Sequence, residues 1–154
     1  MIRIGVMSDS HGFSKFVREA YENMRFCNVV VHLGDHIQDA RDIESTHDRK
    51  VYKVSGNCDW LSQEQTEIIF EAEGIRVLIT HGHKQNVKNG LTRLSLKAEA
   101  EGAKLALYGH THIRREDTDG ECVFVNPGAL MEGKYAIVTI DQGKIHTDFC
   151  DLRQ

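Results

Sequence analysis

Five apolar runs in this 154-residue chain each stop on residues able to bind a metal, with glycine beside them. Residues 4–8 run into Asp9-Ser10-His11-Gly12, and residues 29–33 into Gly34-Asp35. Residues 51–55 lead to Gly56-Asn57-Cys58-Asp59, residues 77–80 to His81-Gly82-His83, and residues 105–108 to Gly109-His110-Thr111-His112. Short apolar runs bounded by turn residues read as buried strands. Open sheets collect their binding residues where the carboxyl ends of neighbouring strands meet. Glycine at such an end lets backbone approach a ligand with no Cβ in the way. A fold compatible with this chain brings several strand ends to one edge.

Between the runs the pattern is helical. Phe13, Phe16, Val17, Ala20, Tyr21 and Met24 share one helical face. Residues 38–47 read as a short polar helix, and Val87, Leu91, Leu94 and Ala98 mark another, ended by Gly102. Residues 66–71 and 76–80, around Glu73-Gly74, read as a hairpin. Strand runs near 113–116, 122–126, 135–140 and 145–149 make the last part of the chain nearly all β. This is an α/β pattern, βαβαβ-like in its first half. One domain over residues 1–154, with two packed sheets and helices outside, is the simplest layering.

The strand ends supply Asp9, His11, Asp35, Asn57, His81, His110 and His112, seven N and O donors. Mixed imidazole and carboxylate donors suit first-row metals rather than an all-oxygen calcium cage. Seven are too many for one tetrahedral zinc and suit two adjacent ions sharing a carboxylate. Two ions about 3.5–4 Å apart form the clamp used for in-line displacement at phosphorus. Taken singly, Asp9-x-His11, Gly34-Asp35 and Gly56-Asn57 read as a cap or turns, His81-Gly82-His83 reads either way, and Gly109-His110-Thr111-His112 is unusual at a strand end; their coincidence at five strand ends points to a site. The formal net charge of -4 argues against sequence-independent nucleic-acid binding, which depends on excess Lys and Arg. Positive charge arriving as metal still allows an anionic ester. Cys27, Cys58, Cys122 and Cys150 form no C-x-x-C pair, and thiols in a reducing compartment are expected. The opening stretch is too short and too soon polar for a signal peptide, and no apolar run approaches the roughly 20 residues of a membrane helix. A cytoplasmic location, without membrane partners, is the expectation.

In order, Asp9-x-His11, Gly34-Asp35, Gly56-Asn57, His81 and Gly109-His110-x-His112 resemble the five motifs of the calcineurin-like metallophosphoesterases. The likeness runs from Ile2 to Asn126-Pro127-Gly128 and, in the Gly-Asn-Cys-Asp block, is similar to the small bacterial and archaeal phosphodiesterase branch. It implies a four-layer α/β/β/α sandwich of two mixed sheets with a dinuclear metal site at one sheet edge. Asp9, His11, Asp35 and His112 would hold one ion; Asp35, Asn57, His81 and His110 the other, with Asp35 bridging. The ions implied are manganese first, with nickel, iron, cobalt or zinc as alternatives. The activity implied is hydrolysis of a small-molecule phosphodiester by attack of a metal-bridging hydroxide, and a homo-oligomer follows from the resemblance alone. Alternatives are a phosphomonoesterase or nucleotidase, or a scaffold such as the retromer subunit of this fold, whose ligands are eroded; here all seven are intact.

One departure matters. Many relatives have histidine after the Asn, where it can act as general acid; here the residue is Cys58. A neutral thiol is a poor acid for an alkoxide, which favours diesters with good leaving groups. His36 and His83 are the candidate replacements, Pro127 is expected to order a loop, and His32 reads as a core residue.

Overall fold

The computed structural model of the protein describes residues 1–153. In chain order its main elements are β1 (Ile2–Met7), α1 (Ser14–Met24), β2 (Val29–His32), α2 (Gln38–His47), β3 (Tyr52–Lys53), β4 (Glu67–Ala72) and β5 (Ile75–Thr80). They continue with α3 (Thr92–Glu101), β6 (Leu105–Leu107), β7 (Arg115–Asp119), β8 (Cys122–Asn126), β9 (Lys134–Asp141) and β10 (Lys144–Asp151). The strands form two mixed five-stranded sheets, ordered β10-β9-β1-β2-β3 and β4-β5-β6-β8-β7. In the first, β1, β2 and β3 are parallel; in the second, β5, β6 and β8 are. Parallel neighbours end at the same edge, so the loops after β1, β2 and β3 lie together, as do those after β5 and β6.

Alternation along the strands decides the layers. Ile4, Val6, Val31 and Leu33 of the first sheet meet Val77, Ile79, Leu105 and Leu107 of the second in one core. On the far side of the first sheet, Met7 and Val30 pack under Val17, Ala20, Tyr21 and Met24 of α1 and Ala40 and Ile43 of α2. On the far side of the second, Leu78, Ala106, Tyr108 and Phe124 pack with Leu94 and Ala98 of α3. The result is the expected α/β/β/α sandwich. Helix α1 sits directly on the β1 backbone: a Cβ at Gly5 would lie 2.6 Å from Met24 Sδ.

Three of the boundaries that differ from the sequence expectation have a local reason. The helix expected from Val87 begins at Thr92, because Gly90 at φ 119° separates it from a single 3-10 turn at Val87–Asn89. Strand β3 is short because Ser55 leaves the ladder and donates its amide to Gln65 O. Strand β7 starts at Arg115 because the Ile113 amide is taken by Thr111 Oγ1. All four cysteines are free thiols. Among the described residues, no helix is long and apolar enough to cross a membrane.

Candidate metal centre

Each strand end turns its polar residue toward the seam between the sheets. After β1, Asp9 is fully buried, and its Oδ2 accepts the Ser8 hydroxyl at 2.5 Å and the His110 amide at 3.1 Å. Its Oδ1 is left facing His112 Nε2 at 3.2 Å. After β2, Asp35 accepts the Cys58 amide at Oδ1, 2.9 Å away. Its Oδ2 stands 3.6 Å from His11 Nε2 on one side and 3.4 Å from His81 Nε2 on the other. All seven residues singled out in the sequence are brought together here.

The donor set fits a cation. When the ring is neutral, His81 Nδ1 donates to the Leu33 carbonyl at 2.8 Å and Nε2 presents a lone pair. That lone pair faces Asn57 Oδ1 at 3.0 Å, His110 Nδ1 at 3.2 Å and the Asp35 carboxylate. His11 Nε2 is buried without a hydrogen-bond partner. Acceptors aimed at acceptors repel unless positive charge lies among them. Asp9, His11 and His112 form one metal-sized cluster, and Asp9, Asp35 and His81 form another, the ligand atoms of each lying within 4.8 Å of one another.

The ionisable groups respond to this crowding. Burial opposes charge on His81, but the Asp35 hydrogen bond and the Asp9 and Asp35 charges outweigh it and raise its pKa. Burial likewise opposes ionisation of Asp35, yet His81, the Cys58 amide and His11 hold its carboxyl well below the usual range. Burial and the His81 charge lower His110. Burial, reinforced by Asp35, pushes the Cys58 thiol up, so it stays protonated at neutral pH.

Backbone shape delivers these side chains. Asp9, His11, Asp35, His110 and His112 all have left-handed φ, between 48° and 72°. That region is uncommon outside glycine, and clusters at functional sites. Two loops are locked without intervening side chains: a Cβ on Gly34 would lie 2.5 Å from Gly56 N. Asp59, which the motif reading left unassigned, completes the lock. Its carboxylate accepts four amides, from Asp35 (2.8 Å), His36 (2.8 Å), Ile37 (2.9 Å) and Gly56 (2.9 Å). The successive Asp35 and His36 amides, both at positive φ, form a backbone nest with Asp59 as its anion. Asn126 does the same service for the other side, donating to Gly109 O at 3.1 Å and Thr111 Oγ1 at 2.9 Å. The polar residue before Pro-Gly was the signal for it.

The other residues of interest lie close by. Cys58 is exposed, with its sulfur in one cluster with His11 and Asp35. His36 is half-exposed, with Nδ1 3.1 Å from the buried Asp39 carboxylate. The His83 ring centre is 5.4 Å from that of His81, with Nδ1 buried and unpartnered. His32 is a satisfied core residue, as its place within a strand suggested: Nδ1 accepts the Gly34 amide at 3.1 Å and Nε2 meets Ser10 Oγ at 2.9 Å. Ser10 in turn donates to Asp39 at 2.6 Å.

Comparison with known proteins matches residues 2–143 to the calcineurin-like phosphoesterase superfamily domain. A probable metallophosphoesterase of Bacillus subtilis is 27% identical, over 95% of this chain and 89% of that protein. A phosphodiesterase of Methanocaldococcus jannaschii is 28% identical, over 99% of this chain and 98% of that one. The crystal structure of a predicted phosphoesterase from Streptococcus pneumoniae superposes with a TM-score of 0.84 at 29% identity, covering 97% of this chain and 89% of that one.

Proposed function

The chain belongs to the calcineurin-like phosphoesterase superfamily, a family of metal-dependent phosphoesterases, and on that premise we propose that it hydrolyses phosphodiesters at a pair of divalent ions, manganese first among them. The observation that carries the reading is Asp35 Oδ2, which lies between His11 and His81 at nearly equal distance, where one carboxylate can serve two ions. Asp9, His11, Asp35 and His112 would hold one ion, and Asp35, Asn57, His81 and His110 the other. When bound, such a pair supplies Lewis acidity toward the phosphoryl oxygens and makes water acidic enough to serve as nucleophile near neutral pH. Residues 1–154 act as one metallophosphoesterase domain, since the two sheets that supply the ligands share one core.

The chain's own groups set up the rest. The Leu33 carbonyl orients the His81 ring and strengthens its Nε2 as a donor. Asp9 and Asp35 bring two negative charges against the four positive ones of two divalent ions, while the amide of Asn57 brings none. The surplus attracts an anionic ester without any arginine. The protonated Cys58 thiol is too weak an acid to assist an alkoxide, which favours esters whose leaving group departs unaided. The name of the M. jannaschii relative agrees with a diester substrate.

The test is the rate on bis(p-nitrophenyl) phosphate against p-nitrophenyl phosphate, with manganese and with chelator. The diester is expected to turn over faster, and only with metal. Faster monoester hydrolysis would make the protein a phosphomonoesterase or nucleotidase, and turnover indifferent to chelator would end the metal reading.

A further inference from the structure

A cavity of about 630 Å³ is lined by Val87, Lys88, Leu91, Tyr108, Ile113 and Thr111, the last standing between His110 and His112 in the chain. Strand β6 explains the tyrosine's place. Leu105 and Leu107 point into the core between the sheets, so Ala106 and Tyr108 face the α3 side. Tyr108 is 1% exposed, yet its hydroxyl is buried with no hydrogen-bond partner. Buried hydroxyls are almost always paired, and an unpaired one calls for a reason. Arg115 and Asp117 also line the cavity.

Thr111 and Lys88 of the cavity also have protons to give. Thr111 Oγ1 accepts the Ile113 amide at 3.1 Å and the Asn126 side chain at 2.9 Å, which uses its lone pairs and leaves its proton free to donate. Lys88 is exposed and, among the described residues, has no carboxylate within ion-pair distance. Arg115 is already gripped by Asp117 through bonds of 2.6 and 2.8 Å, so neither adds free charge. Two hydroxyls and an ammonium thus line one cavity, with Val87 and Leu91 adding apolar wall.

We propose that this cavity receives one arm of the diester and selects arms that end in a phosphate, held by Tyr108, Thr111 and Lys88. A tetrahedral anion accepts from three donors at once, and a lysine without a carboxylate partner is a ready counter-charge. The inference rests on the diester reading and adds the substrate class to it.

Two p-nitrophenyl diesters test it on the manganese-loaded protein, one with a propyl arm and one with a 3-phosphopropyl arm. The phosphorylated arm is expected to give the lower KM. Tyr108→Phe and Lys88→Gln should each raise that KM, by about tenfold or less, with kcat and the propyl-arm KM unchanged. Calorimetric titration of the metal-free full chain with 3-hydroxypropyl phosphate supplies a reading independent of turnover: wild type binds, and Tyr108→Phe binds more weakly. Equal KM for the two arms, or binding untouched by both substitutions, overturns the proposal. Absence of turnover on either diester, with binding intact and sensitive to Tyr108→Phe, would instead remove the diester reading and leave the phosphate cavity standing. Tyr108→Phe takes away an unpartnered hydroxyl and should melt no lower than wild type; should it fail to fold, the surface variant Lys88→Gln decides by the same criteria.

Discussion

The two sheets contribute unlike chemistry to the seam they share. The ends of β1, β2 and β3 bring Asp9, Asp35 and Asn57, with His11 as their one imidazole, whereas the ends of β5 and β6 bring His81, His110 and His112 and no oxygen donor. All the fixed negative charge of the centre therefore belongs to one sheet and most of the basicity to the other. They are tied across the seam by His81 on the Leu33 carbonyl and by the His110 amide on Asp9. On the proposed ligand assignment, neither sheet carries a complete ion site. The centre exists only when both are docked, which makes metal affinity a report on their packing.

The largest effect expected from breaking this division is on the oxygen side. Asp35→Asn removes the carboxylate whose Oδ2 stands 3.6 Å from His11 and 3.4 Å from His81, and diester hydrolysis should fall by about three orders of magnitude or more. Metal analysis of the purified variant should show bound manganese reduced relative to wild type.

Acid should find the same side. Burial lowers the His32 pKa to about 4, against 6.5 for the free side chain, and β2 carries it into the first sheet. Above pH 6.5 the ring is neutral whether the chain is folded or not, so it takes nothing from stability. Between pH 6.5 and 4 the unfolded chain takes up a proton that the fold refuses, and stability drops by up to about 3 kcal/mol. Thermal melts across that window should show this extra slope in wild type, and a shallower one in His32→Gln.

A smaller loss is expected from Asp59→Asn, which keeps the shape but turns an amide donor toward the nest of Asp35, His36 and Ile37 amides. Manganese affinity should weaken by about 10–100-fold with the fold retained, as measured by titration and circular dichroism. The smallest effect sharpens the comparison on the imidazole side. His112, at φ 65°, is strained in any residue with a Cβ, so metal-free His112→Gly should be more stable than His112→Ala by about 1 kcal/mol in denaturant melts.

The strand ends were legible because each carries its chemistry within a few residues of its own apolar run. Asp9-x-His11 and Gly109-His110-x-His112 need no distant partner to be noticed. The hairpin of β4 and β5 and the face of α1 were legible for the same reason, since their signals are local periodicity and turn residues. What escaped depends on contacts made across the fold. Asp59 holds amides more than 20 residues away, and no pattern of spacing announces a carboxylate that will fill a backbone nest. Asn126 supports the loop of Gly109 and Thr111 only after β6 and β8 have paired. The start of α3 was set too early because Val87 keeps the helical spacing while Gly90 interrupts the backbone. The left-handed turns at Asp9, His11, Asp35, His110 and His112 run against residue preference, and so are invisible to any reading based on it.

Those left-handed turns set stability and chemistry at odds. At each of the five positions glycine would relax the chain while removing a proposed metal donor. A population of random variants selected only for surviving heat, with no demand for turnover, should accumulate substitutions here early. A lineage released from hydrolysis would be expected to keep its sandwich and shed its histidines first.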